Sequence, residues 1–152
     1  MEIERKFLIR SLPENLDQYP FHLIEQGYLN TDPVVRVRRE DDAFYLTYKG
    51  KGFLAREEYN LPLNAEAYTH LIAKADGNII TKKRYLIPLE DTSLTVELDV
   101  FSAPFAPLIL AEVEFESLAQ AQAFLPPGWF GEDVTEKREY SNSYLSRKGI
   151  NI

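Results

Sequence analysis

Seven short stretches of this chain alternate charged and apolar residues at period two, and that alternation restricts the fold more than any other feature. The first opens the chain as M-E-I-E-R-K-F, with Glu2, Glu4 and Lys6 on one parity and Ile3 and Phe7 on the other. The pattern returns as Arg36 and Arg38, Lys49 and Lys51, Arg56 and Glu58, Lys82 and Arg84, Glu97 and Asp99, and Glu112 and Glu114. Period two is the signature of strands with unlike faces, and the intervening residues are largely Val, Leu, Ile, Phe and Tyr. Same-parity side chains on a strand lie about 7 Å apart, so paired acids repel unless a cation sits between them.

Around these strands the punctuation is conventional. Ser11 to Pro20 reads as a loop broken by Pro13. Phe21 to Asn30 resumes an extended pattern, and Asp32-Pro33 supplies the turn into Val34 to Glu40. Asn64 and Glu66 start a helix with a Tyr68, Leu71, Ile72, Ala75 stripe that stops before Gly77. Ser117 and Gln120 have capping-box spacing, and Pro126-Pro127 ends that helix. Ser141 to Lys148 reads as a last short helix closed by Gly149. With 152 residues, 45% hydrophobic and no linker or repeat, the chain is expected to form one domain over 1–152.

Composition narrows the chemistry. With no cysteine there is neither disulfide nor thiolate, and two histidines, His22 and His70, cannot build a histidine-rich site. Any metal must therefore be held by oxygen. The net charge of −7 argues against a nucleic-acid partner. No apolar run is long enough to span a bilayer, and the chain enters directly on Glu2, so a cytoplasmic protein with no membrane partner is expected.

The charged faces admit two barrels. Either they meet water while the apolar faces fill the interior, or the charges line a channel and the apolar faces are covered from outside. Parity alone cannot choose. Segregated acid pairs and base pairs do suit a divalent metal and a polyphosphate better than a plain soluble surface, where signs are mixed.

The ordered set resembles the triphosphate tunnel metalloenzymes, or CYTH superfamily. The resemblance runs from E-x-E-x-K at Glu2 to Lys6 through R-x-R, Lys49, R-x-E, K-x-R, E-x-D and E-x-E to V-T and Y-S-N between Val134 and Asn142. It implies an α+β fold: a closed, eight-stranded antiparallel β-barrel with a charged lumen and a few helices outside. It also implies metal-dependent hydrolysis of tripolyphosphate to pyrophosphate and phosphate, as in the short bacterial members. The alternatives are a class IV-type adenylate cyclase and a non-catalytic polyphosphate-binding module. On this resemblance Glu2, Glu4, Glu97, Asp99, Glu112 and Glu114 are expected to hold one or two Mg²⁺ or Mn²⁺ ions. Lys6, Arg36, Arg38, Lys49, Arg56, Lys82, Arg84 and Lys137 would grip a small-molecule polyanion, a tripolyphosphate or nucleoside triphosphate. Lys82 with Tyr28 as partner, and Glu58, would take catalytic parts. A monomer or homodimer is expected. Two departures stand out: Glu139 replaces an arginine before Tyr140, and Asn60 replaces a second acid. Lys51, Arg39 and Arg5 read as solvated, and Trp129 as a core anchor.

Overall fold

The computed structural model describes residues 1–148. Its strands are β1 (Glu2–Ile9), β2 (Phe21–Thr31), β3 (Val34–Glu40), β4 (Ala43–Lys49), β5 (Ala55–Arg56), β6 (Glu58–Leu63), β7 (Asp76–Pro88), β8 (Thr95–Phe101), β9 (Ile109–Glu114) and β10 (Phe130–Asp133). Three helices accompany them: α1 (Ala65–Ile72), α2 (Leu118–Ala123) and α3 (Asn142–Lys148). The expected closing residue of α3, Gly149, lies outside the described residues.

All pairings are antiparallel, in the order β10-β1-β9-β8-β7-β2-β3-β4-β6. β5 continues β6 beyond the break at Glu57 and pairs with β1 through Glu2↔Arg56 and Ile3↔Ala55, which closes the ring. A backbone bond from Glu4 N to Leu54 O at 2.9 Å secures the seam, and one from Phe115 N to Ile3 O at 2.7 Å extends the β1–β9 pairing on the other side of β1. The ten segments therefore make eight staves plus one addition. The expected count of eight misses the interruption at Glu57 and β10, which is added along the far half of β1 at Phe7↔Asp133 and Ile9↔Phe130.

Two apolar clusters hold this ring. One lies outside it, where Phe7, Tyr85, Ile87, Val96, Leu98, Val113 and Phe130 pack beneath α2, with Trp129 partly buried against them. The second closes one end of the barrel: Val34, Ile80, Phe101 and Leu110 meet Phe105, Val134 and Leu145 of α3. So α1 and α2 lie outside as expected, whereas α3 covers a barrel end. Gly77 permits that seat; its φ is +68°, and a Cβ there would strike the carbonyl of Ser146. Gly27 does the same for α1, since a Cβ would come within 2.7 Å of Ala75 and 2.8 Å of Ile72.

The helix starts follow their caps. Asn64 Oδ1 accepts from Ala67 N at 2.7 Å, and Ser117 Oγ accepts from Gln120 N at 3.0 Å. Arg5 is not solvated as read: its guanidinium donates to Asp133 at 2.9 Å and to the carbonyls of Ala121 and Phe124 at 3.0 and 3.1 Å. A cation on the last carbonyls of α2 satisfies groups the helix leaves orphaned.

Candidate active site in the barrel lumen

Because Phe7 of β1, Tyr85 and Ile87 of β7, Val96 and Leu98 of β8 and Ala111 and Val113 of β9 pack into the outer cluster, the alternate residues of those strands point inward. Register then brings distant pairs together. Glu4 stands opposite Glu114 and Lys6 opposite Glu112 across β1 and β9. Glu97 faces Glu112 across β8 and β9, and Arg84 faces Asp99 across β7 and β8. The result is a cavity of about 150 Å³, whose lining includes Glu2, Glu4, Lys6, Tyr28, Arg36, Arg38, Lys49, Arg56, Glu58, Lys82, Arg84, Glu97, Glu112 and Glu114. The charged faces therefore line a channel, the second of the two barrels that parity left open.

Within it the charges divide by whether they already have partners. Asp99 is fully buried and saturated. Its Oδ1 accepts from Arg84 Nε at 2.8 Å, and its Oδ2 from Arg84 Nη2 at 2.9 Å and Lys82 Nζ at 2.7 Å. Burial opposes its ionisation, but the two cations hold its carboxyl below the usual range. Asp99 is absent from the cavity lining. One residue pair deeper along β8 than Glu97, Asp99 stands as the counter-ion of Lys82 and Arg84. Arg84 also reaches Glu97 at 3.2 Å and Glu112 at 2.9 Å. Glu112 bonds Lys6 at 3.4 Å, and against the cost of burial Lys6 and Arg84 hold its carboxyl well below the usual carboxylate range.

Other groups have no such balance. No ion pair reaches Glu4 or Glu114 among the described residues. Burial, with Glu112 and Glu2 nearby, pushes the Glu4 carboxyl up to about 8. Glu114 is also raised, by burial and then by Glu97 and Glu58. On the cationic side, the buried Nε atoms of Arg36 and Arg56 lack hydrogen-bond partners. Such orphans are costly in a low dielectric unless a ligand meets them. Lys49 lies between, 2.9 Å from Glu2 and 3.2 Å from Glu58.

Hard oxygen donors crowded without counter-ions suit a divalent cation, and Glu4 with Glu114 is where such an ion fits chemically. As the side chains stand, no group of three or more acids or histidines among the described residues is arranged to hold one. A cation would have to draw its donors together by side-chain rotation.

Lys82 is 1% exposed; burial pulls its ammonium down to about 7, although Asp99 works the other way. It makes no bond to its expected partner Tyr28. Lys82 Nζ donates to Asn142 Oδ1 at 3.1 Å, and Gln26 Nε2 lies 3.2 Å from that same oxygen and 3.4 Å from Tyr28 Oη. The turn that bonds Lys137 N to Val134 O at 2.9 Å carries Lys137 to the outer side, where its exposed ammonium bonds Glu132 at 2.7 Å. It does not line the lumen cavity itself but lines an adjoining one, which shares Glu4, Lys6 and Arg56 with the lumen.

Gln26, Asn142, Thr47, Ser141 and Ser143 were missed. Gln26 shares the parity of Ile24 and Tyr28, a signal that could have placed it in the lumen, but neutral residues leave no charge pattern. Asn60 lines the cavity, donating to Glu58 at 3.1 Å and accepting from Thr47 at 2.6 Å. His22 bonds Asp41 at 2.6 Å, away from the lumen.

An antiparallel barrel whose interior carries opposed acids and bases defines a charged-tunnel class of protein, and the comparisons place the chain within it. A family model described as the CYTH domain matches residues 1–147, and the chain belongs to that family. It is 42% identical over 149 residues to a curated inorganic triphosphatase of Nitrosomonas europaea, covering 95% of this chain and 96% of that one. It is 34% identical to an inorganic triphosphatase of Acetivibrio thermocellus, over 95% and 92% of the two chains. A crystal structure of an inorganic triphosphatase superposes with a TM-score of 0.71 at 37% identity, covering 100% of this chain and 96% of that one.

Proposed function

We propose that this chain is an inorganic triphosphatase that hydrolyses tripolyphosphate to pyrophosphate and phosphate in the barrel lumen with a divalent cation, Mg²⁺ or Mn²⁺. The observation that carries the reading is that one small cavity holds both Glu4 and Glu114, which no ion pair reaches among the described residues, and Arg36 and Arg56, whose buried Nε atoms have no hydrogen-bond partner. A linear polyanion with a bound cation satisfies both at once. The names of two curated relatives that match nearly end to end support the same substrate.

Phosphoryl transfer requires positioning and charge stabilisation more than covalent help from the protein. Arg36, Arg38 and Arg56 would bind phosphate oxygens, with Lys6 and Lys49 turning from their carboxylates toward the substrate. Arg84, engaged on every side, shapes the wall that holds Glu112 and Asp99. Lys82, poised near neutrality by burial, is placed to give a proton or a hydrogen bond to the departing pyrophosphate oxygen. Glu58, which lines the cavity, would orient the attacking water. Glu4 and Glu114, with Glu2, Glu97 and Glu112 beside them, would hold the cation, which when bound supplies charge neutralisation on the phosphate oxygens and a more acidic water.

Incubation with tripolyphosphate, ATP or long-chain polyphosphate in Mg²⁺ or Mn²⁺, read as phosphate release, tests this. Release from tripolyphosphate that stops with chelator and returns with metal is the expected result. Cyclic nucleotide as the product, binding without turnover, or hydrolysis that survives exhaustive metal removal would each overturn it.

A further inference from the structure

The lumen contains one polar cluster that the charge pattern does not explain. Gln26 is 0% exposed, yet it makes three side-chain contacts. Its Oε1 accepts from Arg38 Nε at 2.8 Å. Its Nε2 faces Tyr28 Oη at 3.4 Å and Asn142 Oδ1 at 3.2 Å, and that Oδ1 also accepts from Lys82 Nζ at 3.1 Å.

The chemistry of these partners leaves a single arrangement. Arginine can only donate, so the Gln26 atom facing Arg38 must be its oxygen, which leaves the Gln26 amino group to face Asn142 and makes the Asn142 atom there an oxygen. Gln26 therefore turns its carbonyl to Arg38 and its amino group to Tyr28 and Asn142; Asn142 turns its carbonyl to Lys82 and Gln26. The Tyr28 hydroxyl, receiving a hydrogen from Gln26, keeps its own proton to donate into the cavity. Neutral amides thus set the directions of two cations and one hydroxyl without adding charge. Asn142 opens α3, so the same oxygen ties the helix that covers the barrel end to the floor of the site.

We propose that Gln26 and Asn142 are positioning residues that act as one unit, fixing how Arg38, Lys82 and the Tyr28 hydroxyl face the substrate. This rests on the triphosphatase reading, deepening it by naming what orients the phosphate-binding groups.

The test compares Gln26→Met, Gln26→Glu, Asn142→Ala, Asn142→Asp and the Gln26→Met/Asn142→Ala double variant in tripolyphosphate hydrolysis, with melting temperature as the folding check. Gln26→Met and Asn142→Ala should each lower kcat/KM about tenfold, and the double variant should fall no further than the weaker single one, because the two residues act through one network. Gln26→Glu has nearly the shape of Gln26, but a second oxygen facing Asn142 would turn that amide and aim its NH₂ at Lys82. It should therefore lose at least as much as Gln26→Met. Asn142→Asp keeps the acceptor and should recover most of what Asn142→Ala loses.

A readout independent of turnover is the exchange of Arg38 Nε–H with solvent, followed by NMR. It should be about tenfold faster in Gln26→Met than in the wild type. Folded variants with wild-type kcat/KM, strictly multiplicative losses in the double variant, or a fully active Gln26→Glu would overturn the proposal. If the wild type itself fails to hydrolyse tripolyphosphate, the triphosphatase reading falls, and unchanged Arg38 exchange in Gln26→Met would then reject the positioning role separately.

Discussion

Two sets of lumen charges, a few ångströms apart, behave oppositely. Around Asp99 every charge is answered: Lys82 and Arg84 share its two oxygens, and Arg84 continues to Glu97 and Glu112. Around Glu4 the charge is left open, with no ion pair among the described residues, and Arg36 and Arg56 have no hydrogen-bond partner at Nε, although Arg56 Nε lies 3.7 Å from Glu2 and Arg36 Nη2 donates to Thr47. The saturated set gives the tunnel its shape. The open set leaves buried polar groups unmatched, a cost that the packing of the outer cluster and the apolar end offsets.

If that division is right, removing a charge from the saturated set should harm folding, and removing one from the open set should harm function alone. The largest effect is expected at Asp99→Asn, which leaves Lys82 and Arg84 buried without their anion. Urea denaturation should show a loss of about 3–5 kcal/mol; a loss under about 1 kcal/mol would mean that the ion cluster is not what holds this wall together.

Glu4→Gln should lower triphosphatase activity by about 100-fold or more while leaving the fold intact. It also carries a sign that can be worked out. Glu4 is raised from 4.5 to about 8 in the folded protein, so between these values the folded state keeps a proton that the unfolded state has released. In chelator, wild-type stability should therefore fall as pH rises through that window, and the glutamine variant should show a flatter dependence. Parallel curves would place Glu4 outside the crowded acid group.

Arg36→Met should weaken tripolyphosphate hydrolysis by about tenfold to 100-fold in kcat/KM, with a melting temperature equal to or above that of the wild type, since an orphaned buried donor is removed. A large drop in melting temperature would move Arg36 into the saturated set. The smallest effect is expected at Lys137→Ala, whose ammonium is held by Glu132 at the surface; activity should stay within about twofold. A loss of tenfold or more would return Lys137 to the substrate.

Much of this arrangement was legible in the chain. The strands, two of the caps and nearly every charged lining residue could be read, because period two forces alternate side chains to one face wherever the other face is apolar. The inward direction could not be read, because parity is symmetric; it was decided by α2, β10 and the outer apolar cluster covering the opposite side. Asp99 and Lys137 show what the pattern leaves open. Both fit the alternation or the motif, but depth along β8 and a turn after Val134 decided what each one touches.

By itself, then, the sequence determined that charges of both signs would be displayed at regular intervals on strands, since this depends only on backbone geometry. Which of them meet each other, which stay open, and how Gln26 and Asn142 orient their neighbours were decided by tertiary structure. Those properties depend on register between strands far apart in the chain and on hydrogen-bond donors finding acceptors, and neutral side chains leave no periodic trace of either.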